Sequence, residues 1–330
     1  MSELFLGVDA GNSKTLAAVA DDSGRILGFA RGGLGDIYGA ATPQDAVNVV
    51  CDVLRQAVAN AGAGLEDLRA AAFRLAGVDW PEDAVLWKEA LAPVLARRTT
   101  RSISNDGLAL LRCGDTQGIG VAISLGTGAA IGARGSAGEE FVVSWWFQRG
   151  FGATGLGSDA VKAVMLAELG LAEETALSAA LLEFYRQSTV EGLLHAFTNR
   201  NAHLGHIAKG SAARTVLATA QAGDPVAMAI VADHAAAIAN YAAVSAARVD
   251  LQQPTIVLGG SVLAATDSVL RRALTAELSV AVPGCAIVAT GAVPILGTVL
   301  DAMAEGGIAL NPELQAAVLS ASIPEGLLAT

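Results

Sequence analysis

Two segments far apart in the chain share one pattern, in which an apolar strand runs into a glycine-containing turn and then into a second strand. The segments are residues 7–15, GVDAGNSKT, and residues 124–130, SLGTGAA. In each turn glycine lets the backbone approach a bound anion, so that N–H groups and short polar side chains can hold it. One such hairpin is common, but two at equivalent places indicate a duplicated fold whose turns face each other across a cleft.

The segments around these hairpins repeat as well. Three-strand meanders are predicted at residues 4–9, 15–20 and 25–31, and again at 118–124, 129–134 and 140–146. Each meander is followed by alternating helices and strands. We therefore predict an α/β fold of two related lobes, residues 1–116 and 117–330, with a cleft between them. The last helix or the tail is left free to return to the first lobe.

Three further local patterns make specific predictions. Thr42, Pro43 and Asp45 predict a helix that opens with a capping box. A strand at 255–258 followed by Gly-Gly-Ser predicts a second helix start, where backbone can approach a flat ring or a sugar. The aromatic run at 145–147 is expected to pack in the core or at an interface, with a wall of the substrate site as the less favoured alternative.

Charge and composition narrow the range of partners. With a net charge of −11 and no run of Lys or Arg, the chain lacks the clustered cations that duplex DNA or an anionic membrane requires. The apolar stretch 226–247 contains Asp233, His234 and Asn240, which favours a buried helix over a membrane span. No cationic leader precedes the first strand and the three cysteines are far apart, so we expect a cytoplasmic protein that binds neither nucleic acid nor membrane.

Two aspartates at strand ends are candidates for the chemistry of the cleft. Asp9 closes a buried strand, where a carboxylate is tolerated only if it is paired, hydrogen-bonded or near a metal ion. Asp106 follows the strand at 101–104, so it lies at the strand end where α/β sheets bind ligands. A helix N-cap is the alternative role for Asp106, and we favour the catalytic role.

The order of these motifs resembles a known family. GVDAGNSKT, AISLGTGAA and IVLGGSV are similar to the first phosphate, second phosphate and adenosine motifs of the actin, heat-shock chaperone and sugar-kinase superfamily. Within it the chain most resembles the N-acetylglucosamine kinase-like branch, the BadF/BadG/BcrA/BcrD ATPase family, with further matches at residues 75–79, 104–106 and 222–227. The resemblance implies two actin-like (ribonuclease H-like) lobes and ATP-dependent phosphorylation of a sugar hydroxyl, with N-acetylglucosamine or glucosamine as the expected acceptor.

The same resemblance implies a role for each motif residue. Asp9 is expected to hold Mg²⁺ through water, and Asp106 to accept the proton of the attacking sugar hydroxyl. The residues expected to bind the ATP phosphates are Gly11, Asn12, Ser13, Lys14, Thr15, Gly126, Thr127 and Gly128, and those expected to contact the adenosine are Gly259, Gly260 and Ser261. The residues expected to bind the sugar are Asp36, Gly77, Asp79, Asn105, Asp106, Gly150, Phe151 and Gly152. ATP and Mg²⁺ are thus the expected cofactors and a small sugar the expected partner, and a homodimer is left open.

Two departures from the family pattern bear on the substrate. Residues 155–158, GLGS, lack the acid that family kinases carry in a Gly-Asp-Glu-Gly-Ser segment, and Asp159 is displaced from that position. Asp36 stands where the family tends to have an asparagine that contacts the sugar. A carboxylate there can pair with the ammonium group of glucosamine, unless Asp36 is a solvated loop residue.

Two other functions stay open at this point. An activator ATPase of the dehydratase type would hold an iron–sulfur cluster with cysteines in the cleft region, an arrangement that Cys51, Cys113 and Cys285 do not match. A non-catalytic nucleotide or sugar sensor is compatible with the missing acid. The presence of Asp9 together with Asp106 favours the kinase over the sensor, because a sensor needs no proton acceptor.

Overall fold

The chain folds around two sheets of the same topology. A computed structural model describes residues 3–201, 204–265 and 268–328. The first sheet consists of β1 (Leu4–Ala10), β2 (Thr15–Asp21), β3 (Ile26–Gly32), β4 (Leu68–Leu75) and β5 (Thr100–Ser104), in the order β3-β2-β1-β4-β5. The second consists of β6 (Gly120–Leu125), β7 (Ala129–Arg134), β8 (Glu140–Val142), β9 (Thr255–Gly259) and β10 (Ala286–Ala289), in the order β10-β9-β6-β7-β8.

The two sheets correspond strand by strand. In each, the first three strands form an antiparallel meander, and the last two run parallel to the first strand. The predicted α/β fold of two related lobes is confirmed. The boundary placed between residues 116 and 117 falls in the connection between the sheets, and it stays a prediction.

Helices cover the faces of both sheets. Those of the first half are α1 (Pro43–Asn60), α2 (Pro81–Leu91) and α3 (Leu111–Gly114). Those of the second half are α4 (Gly152–Glu168), α5 (Leu177–Tyr185), α6 (Val190–Thr198), α7 (His206–Gly210), α8 (Ala213–Gln221), α9 (Pro225–Arg248), α10 (Val269–Ala281), α11 (Pro294–Glu305), α12 (Pro312–Leu319) and α13 (Glu325–Leu328). Short 3₁₀ helices lie at Leu65–Asp67, Asp106–Leu108 and Ser144–Trp146.

Helix α1 begins as the sequence predicts. The Thr42 hydroxyl accepts the Asp45 N–H, and the Asp45 carboxylate accepts the Thr42 N–H, so the capping box is complete. Pro43 occupies the first helical position. A cap of this kind contributes about 1 kcal/mol, and it fixes where the chain enters the helix after the loop that follows β3.

Strand β1 lies at the centre of the first sheet and packs into a different core on each face. Leu6 and Val8 belong to the core under α1, whereas Phe5 belongs to the core under α11, as the two-residue period of a strand requires. Gly7 faces α11, where a Cβ would lie 2.7 Å from the Val299 backbone nitrogen. Helix α11, from the second half of the sequence, therefore packs closely on the first sheet.

The segment after α11 also lies on the first lobe. Val318 of α12 is fully buried in the core under α11. The turn between β2 and β3 contacts α12, because a Cβ at Gly24 would lie 2.9 Å from the Leu314 side chain. The Gln315 amide donates to the Arg112 carbonyl at 2.7 Å. The structure thus gives residues 312–319, which the sequence left without an assignment, a place against the first sheet.

Helix α9 is the buried helix that the sequence predicts at 226–247. By length and composition alone it could cross a membrane. In the structure it packs against α8, α10 and β7, and its residues Val231, Ile238 and Ala242 are buried in the core of the second lobe.

The strand predicted at residues 140–146 is too long. Strand β8 ends at Val142, and a 3₁₀ turn follows in which Ser144 has a φ of +33°. The Ser144 hydroxyl donates to the Asp79 carboxylate of the first lobe. The chain leaves the sheet to make this contact across the cleft, which a strand pattern does not reveal.

The helix start predicted at residues 259–261 is wrong. Strand β9 ends at Gly259, and the next helix that the structure describes begins at Val269. Gly260 has a φ of +92°, and the Val262 N–H donates to the Leu125 carbonyl at 3.0 Å. These constraints hold the segment against the end of β6 in place of a helical turn.

Asp301 of α11 is the point at which the two halves of the chain meet. Its carboxylate is 1% exposed and contacts three arginines, Arg74 of β4 at 2.7 Å, Arg112 of α3 at 2.6 Å and Arg134 of β7 at 3.2 Å. Burial opposes the ionisation of Asp301, but the attraction of the three guanidinium groups outweighs it and lowers the pKa. We call these four residues the Asp301 cluster.

Two glutamates complete the charge balance of the Asp301 cluster. Glu305 contacts Arg74 at 3.0 Å, and Glu140 of β8 contacts Arg134 at 2.9 Å. Glu140 also accepts a hydrogen bond from the hydroxyl group of Ser104, at the end of β5, at 2.8 Å. The three cations therefore face three anions, and the contacts span both sheets.

We expect Asp301→Asn to lower the free energy of unfolding by about 3–5 kcal/mol, because it leaves buried guanidinium groups without their shared anion. Urea unfolding near neutral pH measures this change. Asp52→Asn is the matched control, since its exposed pair with Arg55 contributes about 0–1 kcal/mol. A loss below about 1 kcal/mol for Asp301→Asn would contradict the role assigned to the cluster.

Candidate active site

A cavity of about 230 Å³ opens between the sheets at the carboxyl ends of β1, β4 and β5. Its lining residues are Asn12, Asp36, Ala76, Gly77, Asp79, Asn105, Asp106, Ala129, Ala130, Ile131, Ser144 and Trp145. They include five of the predicted sugar-binding residues. A larger cavity, of about 720 Å³, lies at the amino ends of the same strands near Leu4 and Leu68, and it contains none of the predicted site residues.

Asp106 lines the cavity directly after β5. The side chain of Asn105, and not that of Asp106, caps the short 3₁₀ helix by accepting the N–H two residues further on at 2.8 Å. Burial, and next the negative charges of Asp9, Asp79 and Asp36, raise the pKa of Asp106 to about 7. A carboxylate that titrates near neutral pH is well matched to proton transfer.

Asp79 forms the wall of the cavity and joins the lobes. Its Oδ1 accepts the Asn105 amide at 2.8 Å and also the hydroxyl of Ser144 from the second lobe. Burial raises the pKa of Asp79, although the Ser144 hydrogen bond opposes that shift. Two donors, one from each lobe, thus fix the orientation of this carboxylate.

Asp36 lines the cavity from the loop between β3 and α1. It is 6% exposed, so the alternative of a solvated loop residue is excluded. Its Oδ1 accepts the Tyr38 N–H at 2.9 Å. Gly77 has a φ of +78°, and a Cβ there would lie 2.3 Å from this oxygen. Glycine at position 77 is therefore required for the carboxylate to occupy this position.

The first turn, residues 11–15, borders the cavity through Asn12. It closes through the Gly11 N–H, which donates to the Lys14 carbonyl at 3.0 Å, and the Gly11 carbonyl accepts the Gly35 N–H at 3.1 Å. Asn12 and Ser13 are exposed at the tip, and the N–H of neither donates to another residue that the structure describes. Their backbone donors are thus available to an anion.

Asp9 and Thr15 lie behind the first turn. Thr15 is buried, and its hydroxyl donates to the Gly33 carbonyl at 2.9 Å, so it braces the turn against the loop after β3. Burial raises the pKa of Asp9 to about 7, and the positive charge of Lys14 opposes the shift. Burial, and next the charge of Arg31, lower the pKa of Lys14.

The second turn, residues 126–128, is supported by α4. The Gly126 N–H donates to the Gly128 carbonyl at 2.9 Å. The Ala153 N–H donates to the Gly126 carbonyl at 2.9 Å, and the Thr154 N–H donates to the Thr127 carbonyl at 3.0 Å. Within the described chain, the Thr127 and Gly128 N–H groups at the exposed tip have no acceptor. The positive end of the α4 dipole also lies at this turn and favours an anion.

Gly150, Phe151 and Gly152 brace the second turn and are absent from the cavity lining. Gly152 has a φ of +69°, and a Cβ there would lie 2.1 Å from the Gly128 carbonyl oxygen. Phe151 is 4% exposed, and its ring packs against Phe147 in the second lobe. Their predicted contact with the sugar stays a prediction.

Asp159 does not replace the acid that the family pattern leads one to expect. It lies on α4, and its carboxylate contacts His234 Nε2 at 2.8 Å. Burial lowers the pKa of His234. Asp159 is not among the residues that line the cavity.

The predicted adenosine segment lies beside the second turn. Strand β9 pairs with β6, with Gly259 opposite Ser124. Gly260 follows with its backbone against β6, where a Cβ would lie 2.4 Å from the Leu125 carbonyl oxygen. Ser261 is exposed next to it. One ligand can therefore extend from the second turn to this segment.

Sequence reasoning missed Ser144, and it gave a wall of the substrate site only as the less favoured role of Trp145. Trp145 is 57% exposed and lines the cavity, and its ring meets that of Tyr38 edge-on with centroids 5.5 Å apart. The duplication held a signal for both residues. They follow the third strand of the second meander, as Asp36 follows the third strand of the first.

Residues 6–302 match the BadF/BadG/BcrA/BcrD ATPase family. The chain belongs to that family. The resemblance drawn from the motifs is thereby confirmed. No curated protein matches the chain by sequence.

Several proteins of known structure share the fold at low sequence identity. A proposed N-acetylglucosamine kinase from Chromobacterium violaceum has a TM-score of 0.67 and 22% identity, over 91% of this chain and 98% of that one. A second proposed N-acetylglucosamine kinase, from Porphyromonas gingivalis, has a TM-score of 0.63 and 17% identity, over 92% and 99%. A ROK family glucokinase from Streptomyces griseus, in complex with glucose and AMPPNP, has a TM-score of 0.57 and 19% identity, over 90% and 98%. These similarities establish the two-lobed fold.

Asp106→Asn is expected to stabilise the protein in the absence of ligands. The pKa of Asp106 is about 7 in the folded protein against its ordinary 3.8, so the ionised carboxylate destabilises the fold most at and above pH 7. Asparagine removes that charge, and we expect a gain of about 1–3 kcal/mol at pH 8.

The gain should shrink as the pH falls towards 4, where the folded carboxyl group is protonated and the unfolded one is close to its ordinary pKa of 3.8, so that the two states differ less in bound protons. Urea unfolding of the variant and the wild type at pH 8, 6 and 4 provides the comparison. An Asp106→Asn protein that is less stable than the wild type at pH 8 would contradict the assigned environment.

Proposed function

We propose that this protein transfers the γ-phosphoryl group of ATP to a hydroxyl group of an amino sugar. The observation that carries the proposal is the position of Asp106, a carboxylate that is not the N-cap of the short 3₁₀ helix and that lines the same cavity as Asn12 of the first turn. N-acetylglucosamine and glucosamine are both acceptors of this class.

Two features support ATP as the phosphoryl donor. At the tips of the first and second turns, which belong to different lobes, backbone N–H groups have no acceptor among the residues that the structure describes, which suits adjacent phosphates of one nucleotide. The segment at Gly260 lies beside the second turn and leaves its exposed side open for the adenosine. The family to which the chain belongs is a family of ATPases.

The environment of Asp9 fits a magnesium ion. Its carboxyl group is buried with a pKa raised to about 7, and Lys14 is the cation that acts on it. Magnesium is usually held by one or two carboxylates together with water and substrate phosphates. Bound there, the ion supplies positive charge to the phosphates during transfer. Proximity to such a cation favours the ionised form of Asp9.

Asp106 acts as the general base. Its carboxylate accepts the proton of the sugar hydroxyl while that oxygen bonds to the γ-phosphorus and ADP leaves. Asn105 and Asp79 line the cavity beside Asp106 and hydrogen-bond to each other, so they hold the sugar in one orientation. Phosphoryl transfer depends mainly on positioning and charge neutralisation, and a placed base contributes about 10²–10⁴-fold.

The activator and sensor functions have less support. Cys51 packs in the core under α1, Cys113 packs behind β6, and Cys285 packs on the second lobe, so the three lie in separate cores and not around the cavity. A sensor function does not explain why Asp106, a carboxylate with a pKa of about 7, lies in the cavity that the first turn borders. We therefore retain the kinase as the single proposal.

A coupled assay of ADP release tests the proposed function. With MgATP, we expect turnover that depends on glucosamine or N-acetylglucosamine, and we expect Asp106→Asn to lower kcat by about 10²–10⁴-fold while ATP still binds. Asp52→Asn serves as the surface control and should keep full activity. If no amino sugar supports turnover, or if Asp106→Asn stays within tenfold of the wild type, the proposal is wrong.

A further inference from the structure

Trp145 lies at the mouth of the cavity and differs from the other residues that line it. Among the described residues of the lining it is the only aromatic one, and 57% of it is exposed to solvent. The other lining residues are mostly polar or small, with side-chain donors and acceptors on Asn12, Asp36, Asp79, Asn105, Asp106 and Ser144. An exposed apolar surface rimmed by polar groups is typical of a ligand-binding groove.

The position of Trp145 is fixed from both lobes. The residue before it, Ser144, has a φ of +33° and donates its hydroxyl to Asp79. Such a backbone conformation persists only where the surrounding contacts hold it, and it is frequent at ligand sites. On the other side, the ring of Tyr38 lies against Trp145, and its hydroxyl donates to the buried Asp83 at 3.0 Å. The indole is therefore pre-organised, which lowers the entropic cost of binding a ligand to it.

The indole of Trp145 keeps an open face. Tyr38 meets it edge-on, with an interplanar angle of 82°, so this contact covers at most one face. Among the described residues, no other aromatic ring and no cation stacks on it. A pyranose ring has C–H groups on its faces and hydroxyl groups around its rim. An indole can therefore cover the apolar face of such a ring while the hydroxyl groups stay in water.

The cavity itself has room for a single ring. Its volume of about 230 Å³ is below the range of about 300–1,000 Å³ that is usual for pockets enclosing larger organic ligands. The proposed base, Asp106, lies inside it, so the ring that reacts occupies this space. The exposed part of Trp145 continues from the cavity towards solvent and is the surface that a second, linked ring would meet.

We infer that the exposed face of Trp145 is a subsite for a second pyranose ring, so that the preferred acceptor is a two-ring saccharide and a free monosaccharide is a weaker one. The inference rests on the proposed function and deepens it. The reacting ring lies among the polar groups of the cavity, and the glycosidic bond directs the second ring outwards onto the indole.

Binding without nucleotide tests the subsite separately from catalysis. Isothermal titration calorimetry compares glucosamine and N-acetylglucosamine, their α- and β-methyl glycosides, and their disaccharides in α and β linkage. The proteins are the wild type, Trp145→Ala, Trp145→Phe and Trp146→Ala. Trp146 is the matched control, because it is the next residue, is also 57% exposed and does not line the cavity.

We expect at least one disaccharide to bind the wild type about tenfold or more tightly than its monosaccharide and methyl glycosides, the effect of one well-placed aromatic contact. Trp145→Ala should remove this preference, so that one-ring and two-ring sugars bind within about threefold of each other. Trp145→Phe should keep part of the preference, since it retains an aromatic face. Trp146→Ala should match the wild type.

Two binding results would overturn the inference. One is equal affinity of the wild type for one-ring and two-ring sugars. The other is a loss in Trp145→Ala that is the same for both, because the indole would then cover the reacting ring itself.

Coupled ADP release with the same sugars separates the inference from the proposed function. A disaccharide preference that Trp145→Ala removes, without phosphorylation of any sugar, supports the subsite and overturns the kinase. Phosphorylation with the same KM for one-ring and two-ring sugars, in the wild type and in Trp145→Ala, supports the kinase and overturns the subsite. If both proposals hold, the disaccharide has the lower KM, and Trp145→Ala raises that KM more than it lowers kcat.

Discussion

The buried carboxylate of Asp301 holds the two lobes in one arrangement, and the cleft depends on that arrangement. Its three arginine partners come from β4, α3 and β7. Strand β4 leads to Asp79 at the cavity wall, and β7 forms one side of the second turn. A hydrogen bond between Ser104 and Glu140 adds a contact at the end of the strand that precedes Asp106. A buried ion pair of this kind contributes little when intact, but the loss of one partner is costly, so the cluster favours one relative position of the strands.

The candidate site, in contrast to the Asp301 cluster, brings charges of the same sign together. Asp9, Asp36, Asp79 and Asp106 are gathered at one end of the first sheet, where burial raises the pKa of Asp9 and Asp106 to about 7. The folded protein is strained by these like charges until a cation or a proton offsets them. This is the usual relation between a functional site and its scaffold, in which stability is lost where the chemistry requires it. The hydrophobic cores compensate for the loss.

Much of this architecture could be predicted from local sequence. The strand pattern and the repeated glycine turns define the duplicated sheets, the position after β5 identifies Asp106, and Thr42 with Asp45 fixes a helix start. The wrong predictions concern residues whose position is set by a partner far away in the sequence. Ser144 leaves its strand to reach Asp79, and Gly260 turns against Leu125. No periodicity within either segment encodes such a contact.

A crystal structure with glucosamine, Mg²⁺ and AMPPNP tests the central claim most directly, which is that one cleft holds an amino sugar between Asp36 and Asp106 beneath the two turns. We expect a hydroxyl group of the sugar facing Asp106, and the γ-phosphate between residues 11–15 and 126–128. A sugar bound away from Asp106, or a nucleotide that contacts only one of the two turns, would contradict the account.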